Sequence, residues 1–133
     1  MSFKILNNAP KEYLQQGFRY CGGYTIKGIL SAYNLDDGRH PKKYLPLLQR
    51  LNIKSFGMST PKVISNILKK FGFLSPIKRV NNLSDNEKIE SIKKELDKNH
   101  PVILLMGNGY SFKGKFSNLR KSFISHLISI WGY

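Results

Sequence analysis

The sequence predicts an α+β protein, with helices first and strands last. Three observations carry that expectation. Apolar residues recur at helical spacing up to Pro101, "VILLM" (Val102 to Met106) is an unbroken apolar run of strand length, and "FISHLISIW" alternates. The expected architecture is a helical half packed on a partial antiparallel sheet.

Each element has its own grounds. Ile26, Ile29, Leu30 and Tyr33 share one helical face, so a helix should start near Cys21 and stop before "NLDDGRHP". A second helical face, Tyr44, Leu45, Leu48 and Leu51, is expected over Lys42 to Leu51, with Pro46 early in it or bending it. "STPKVISNILKKFGF" has a cap at Ser59 or Thr60, Pro61 in the first turn, a stripe of Val63, Ile64, Ile67, Leu68 and Phe71, and Gly72 at its end. "SPIKRV" (Ser75 to Val80) reads as a short strand. Ser84 and Glu87 form a capping box before Ile89, Ile92 and Leu96, which are expected to face inward. Pro101 ends that helix. "VILLM" should be a central strand buried on both faces. A hairpin loop follows over Gly107 to Arg120. The last strand puts Ile124, His126, Ile128 and Ile130 on one face and Ser125, Leu127, Ser129 and Trp131 on the other.

The chain's 133 residues suit one domain, and 41% hydrophobic composition suits a globular core. No apolar run reaches the ~18 residues of a membrane span. "MSFKILNNAP" is too short and polar for a signal peptide. The expected location is the cytoplasm. One cysteine permits no internal disulfide, and His40, His100 and His126 lack close metal-ligand spacing, so neither metal nor cofactor is expected.

The net charge is +14, and no acid falls between Gly38 and Val80. Such a balance suits nucleic acid, an anionic membrane or an acidic partner. Seventeen lysines against five arginines equally suit a lysine-rich composition without such a role. No nucleic-acid-binding motif appears, so nucleic acid is not the expected partner.

The one cysteine lies in "QQGFRYCGGY" (Gln15 to Tyr24). A cysteine nucleophile acts as its thiolate, which a helix N-terminus and a nearby imidazole both favour. Cys21 has the first by position, and His126 is the best candidate for the second. Gly22 and Gly23 would let the backbone approach a substrate carbonyl, with the Cys21 N–H donating to the oxyanion. Gln15 could supply a second donor. Singly, each residue has an ordinary explanation, since free cysteine is among the most buried residue types and is mostly inert. Their joint order and placement are what point to catalysis.

At these residues the sequence resembles papain-like cysteine peptidases, closest to the bacteriocin-leader-processing (double-glycine) peptidases and their relatives. "QQGFRYCGGYTIKGILSAY" is similar to their catalytic-helix opening, with Gln15, Cys21 and Gly22 on the motif. "NHPVILLMGNGY" and "SHLISIWGY" are similar to the later strands, with His126 in the histidine place and Gly132–Tyr133 closing it. The resemblance runs from Gln15 to Tyr133. It implies Cys21 as nucleophile, His126 as general base and then acid, Gln15 as oxyanion donor, and a peptide or protein substrate.

Two departures accompany it. The family's orienting Asp or Asn follows the histidine, whereas this sequence ends seven residues after His126. The resemblance thus implies a domain over residues 1–133 lacking the last strands of the usual barrel. Asn108 is a candidate substitute. An open sheet edge beyond Tyr133 could pair with another chain. Tyr20 stands where the leader peptidases often have Asp, pointing to a looser relative. Two further readings stay open: a catalytically impaired papain-like module that binds peptides or a partner, and a basic nucleic-acid-binding domain.

Overall fold

The computed structural model describes residues 4–10, 20–47, 60–107 and 125–133. Their regular structure is α1 (Cys21–Ala32), a 3-10 turn (Pro41–Tyr44), α2 (Pro61–Lys70), α3 (Asp85–Asp97), β1 (Val102–Gly107) and β2 (Ser125–Ile130). The α+β order expected from the sequence is the order observed.

The helix boundaries follow from local chemistry. Thr60 Oγ1 accepts from the Val63 N–H at 3.4 Å, with Pro61 opening α2. Ser84 and Glu87 form the reciprocal box at the start of α3: Ser84 Oγ accepts from the Glu87 N–H at 3.4 Å and Glu87 Oε2 from the Ser84 N–H at 2.8 Å. All three helices end alike. A residue with positive φ (Asn34 at 58°, Gly72 at 86°, Asn99 at 63°) follows the C-cap. Beyond each, the chain donates back to the last turn, from Leu35 to Leu30 O, Phe73 to Leu68 O and His100 to Glu95 O. These are Schellman closures, which satisfy carbonyls a helix end otherwise leaves bare.

The strands pair antiparallel, with Val102 opposite Ile130, Leu104 opposite Ile128 and Met106 opposite His126. Leu127 and Trp131 are buried at 2% and 3% exposure. They join Ile26, Ile29 and Leu30 of α1, Ile64 and Leu68 of α2 and Leu96 of α3 in one core. Burying each such side chain contributes roughly 1.5–3 kcal/mol.

Four expectations are corrected. "SPIKRV" forms no strand: residues 73–80 carry no regular structure, and Ile77 lies half-exposed. "VILLM" is a strand but not one buried on both faces. Among the described residues β1 pairs only with β2, and Leu105 and Met106 are exposed. Ile89 lies on the outer side of α3, leaving Ile92 and Leu96 to face inward. The helix expected from Lys42 onward is interrupted: a 3-10 turn ends at Tyr44, Leu45 is extended (ψ 151°) before Pro46, and Leu47 is helical again. Tyr44 and Leu45 are nonetheless buried. Leu48 and Leu51, and the loop beyond Gly107, lie outside the described residues.

The edge beyond Tyr133 is not open. The Lys4 and Leu6 N–H groups donate to Tyr133 O (2.7 Å) and Trp131 O (2.8 Å), and the Tyr133 N–H donates to Lys4 O (2.9 Å). This approach requires Gly132, where a Cβ would lie 2.2 Å from Lys4 O. Asp97 of α3 clasps the same corner. It accepts from Lys4 Nζ at 3.0 Å and from the Tyr133 hydroxyl at 2.8 Å. The chain's own segment thus occupies residues 131–133, whereas Ser125–Ile130 of β2 pairs only with β1 among the described residues.

Candidate active site

Cys21 is the first residue of α1, as the sequence led us to expect. The first helical bond runs from the Tyr24 N–H to Tyr20 O at 3.0 Å. The N–H groups of Cys21, Gly22 and Gly23 therefore precede the intrahelical ladder, and the N-cap residue Tyr20 offers them no side-chain hydrogen bond. No acid lies in this first turn. The local field thus favours an anion over a neutral group at this end of the helix. The Cys21 side chain is half-buried and packs against the core.

The residue before it is strained. Tyr20 has φ 68° and ψ 28°, the left-handed region that costs a bulky residue on the order of 1–2 kcal/mol. Its ring packs against the core, which holds the conformation in place. Such strain beside a candidate nucleophile fixes the direction in which α1 begins.

Gly23 has a different role from the one expected. A Cβ there would lie 2.4 Å from Pro41 O. The missing side chain admits the chain's own 3-10 turn against α1, so Gly23 serves packing rather than the approach of a substrate.

His126 lies on β2 with an exposed side chain, opposite Met106. Its strand is bonded to α1 by a residue that sequence reasoning missed. Thr25, 3% exposed, donates its hydroxyl to Leu127 O at 3.2 Å. Thr25 lies one turn after Cys21 on the same face of α1, and Leu127 directly follows His126. The elements carrying the two candidate residues thus meet through a buried hydrogen bond, but strand alternation puts the exposed His126 on the face opposite the buried Leu127, so this bond does not bring the imidazole to the thiol. The available signal was a hydroxyl at the i+4 position from Cys21, beside the apolar stripe of a buried helix. Among the described residues, neither Cys21 nor His126 makes a side-chain hydrogen bond. Gln15 and Asn108, the candidate oxyanion donor and orienting residue, lie outside the described residues.

A second polar cluster holds the loop after α1. Lys27 Nζ pairs with Asp36 Oδ2 at 2.6 Å and reaches Arg39 O at 3.1 Å. The Tyr44 hydroxyl donates to both Asp36 and Asp37, and Arg39 forks onto Asp37 while lying 5.2 Å from the Tyr44 ring centre. Burial pushes the Asp36 carboxyl up, but hydrogen bonds from Lys27, Tyr44 and the Gly38 N–H outweigh it and hold it below the usual range. The Arg39 guanidinium holds Asp37 down at about 2. Burial, and then the two carboxylates, push the Tyr44 hydroxyl well above its ordinary value. This cluster fixes the chain between α1 and the 3-10 turn, the same turn that packs on Gly23.

An open groove of about 630 Å³ lies along α3 beside Tyr133, and its lining contains neither Cys21 nor His126. Its walls mix Lys78, Lys93 and Lys94 with Glu87, Glu90 and Asp97, so it offers no single charge to a ligand. Among the described residues no three His, Cys, Asp or Glu side chains gather as a metal site. Among them, too, no helix is long and apolar enough to cross a membrane.

No protein-family model, no curated protein and no solved structure matches the chain.

Proposed function

We propose that the chain is a papain-like cysteine hydrolase that cleaves peptide bonds, with Cys21 as nucleophile and His126 as general base and acid. The observation that carries this reading is Cys21 as the first residue of α1, ahead of the first intrahelical hydrogen bond. A thiolate at the start of α1 would attack the substrate carbonyl. The Cys21 N–H and the Gln15 amide would stabilise the oxyanion. His126 would protonate the departing amine, leaving a thioester on Sγ, and would then take a proton from the water that releases the acid.

Alkylation tests this. Cys21 should react with iodoacetamide at pH 6 at least ten times faster than the same thiol in denatured protein, because a depressed thiol pKa leaves more thiolate at that pH. His126→Ala should remove most of the excess. Equal rates in folded and denatured protein would sink the proposal.

A second reading is favoured by the exposed imidazole, which has no hydrogen-bond partner among the described residues. Were His126 to lack an orienting partner it would be a poor base, as the loss that follows removal of the triad aspartate in serine proteases illustrates. The chain would then be a papain-like module that binds peptides without cleaving them. Enhanced alkylation with no hydrolysis of any peptide from a random library would favour that reading.

A further inference from the structure

The turn after α2 holds a large aliphatic side chain in water by construction. Leu74 is 91% exposed and Ile77, three residues on, is 52% exposed. A floppy segment would explain this trivially, but both flanks are anchored. Phe73 packs edge-on to Tyr33 with ring centres 4.9 Å apart, and its N–H closes the helix onto Leu68 O. On the other side Ser65 Oγ donates to Ser75 O at 2.6 Å. The backbone is pinned just before and just after Leu74, and the leucine points outward between the pins.

The surroundings are cationic. Lys69 and Lys70 end α2, Arg79 follows Ile77, and Lys62 lies two turns before Lys69 on the same outer face. None of the four forms an ion pair among the described residues, whose acids are taken up elsewhere by partners such as Lys27, Arg39, Lys88 and Lys4. No acid occurs in the sequence between Gly38 and Val80, and the carboxylates of Glu87 and Glu90 of α3 line the groove on the side of Lys78.

We propose that this turn docks on an anionic lipid surface, with Leu74 and Ile77 entering the headgroup boundary and Lys69, Lys70 and Arg79 neutralising lipid phosphates and carboxylates. An aliphatic side chain held outward gains from an acyl environment and gains little from a phosphate backbone. Nucleic acid would call instead for stacking aromatics and arginine forks. Lysines suffice at a diffuse anionic surface. The proposal is independent of the hydrolase reading.

Co-sedimentation with vesicles tests it. The whole chain should bind phosphatidylcholine vesicles that contain phosphatidylserine, not bind phosphatidylcholine alone, and release as salt is raised. Leu74→Ser with Ile77→Ser should weaken binding at least ten-fold. Lys69→Ala with Lys70→Ala should weaken it by roughly twenty-five-fold, about five-fold per cation. All four side chains are exposed, and unchanged thermal melts would show that the variants still fold. Failure to prefer anionic vesicles would overturn the proposal, as would an apolar double variant that binds like the parent. Displacement from vesicles by a single-stranded oligonucleotide that binds the apolar double variant equally well would reassign the surface to nucleic acid.

Discussion

Three residues at the start of α1 each do work that their identity alone does not reveal. Thr25 satisfies a strand carbonyl from inside the core. Replacing it with Val keeps the shape but leaves Leu127 O without its donor, so Thr25→Val should cost about 1–3 kcal/mol in urea denaturation. Thr25→Ser should recover most of that. If the hydrolase reading holds, Thr25→Val should also slow Cys21 alkylation, since it loosens the join between α1 and β2. Gly23 admits the Pro41 carbonyl at a distance no Cβ tolerates. Gly23→Ala should therefore destabilise by more than the gain in helix propensity, by about 1–3 kcal/mol net, visible as a lowered Tm. Tyr20 carries left-handed strain that Gly would relieve, but Tyr20→Gly also strips a ring from the core.

At the scale of elements, the helix ends were the most legible part of the sequence. Thr60–Pro61, Ser84 with Glu87, and Gly72 all did locally what their side chains and backbone preferences dictate. Gly72→Ala should cost about 1 kcal/mol, because alanine pays for φ 86° even with open space around it. Ser84→Ala should cost a similar amount by removing the cap from α3. Both are read from thermal melts. Asn34 and Asn99 make the same turn without glycine's freedom, and no motif before them announced it. The strands were less legible. "VILLM" is apolar throughout, yet what covers a strand is decided by neighbours remote in sequence, and here β2 alone flanks it among the described residues. "SPIKRV" looks strand-like in composition but finds no ladder; its backbone is held by Ser65. The candidate site divides in the same way. The cysteine at a helix start was legible, because the pattern is local. The contacts that set its surroundings, Gly23 on Pro41 and Thr25 on Leu127, join distant segments and left no such trace.

Across the molecule, eight acids against twenty-two cations make each carboxylate count. Asp36, Asp37, Asp85, Glu87, Glu95 and Asp97 all sit below their ordinary pKa, held by hydrogen bonds or neighbouring cations. Each therefore binds its proton more weakly folded than unfolded. Their contribution is present above the unfolded carboxylate pKa of about 4 and is lost as pH falls through the folded values. Tm should hold steady from neutral pH to about 5 and fall steeply toward pH 2, the folded value of Asp37 being about 2. The double variant Asp36→Asn with Asp37→Asn should start lower at pH 7 and show a shallower fall across that window. Parallel curves would mean that the Lys27–Tyr44 cluster does not hold the loop.

The pairing of Lys4–Leu6 with Trp131–Tyr133 has a kinetic side. The two segments lie at nearly opposite ends of the sequence, so this ladder closes the longest loop in the described fold. While the ribosome is still making the sheet, the early segment has no partner. Residues 131–133, just past β2, then wait for the segment Lys4–Leu6 to return. Loop closure of this length is slow compared with helix formation, which places the zipping of this corner late in folding. Until it zips, the backbone of residues 131–133 is a bare template for a neighbouring chain. Refolding at high protein concentration should therefore lose yield to aggregation in that interval, and a Gly132→Val variant, unable to admit Lys4, should remain in it.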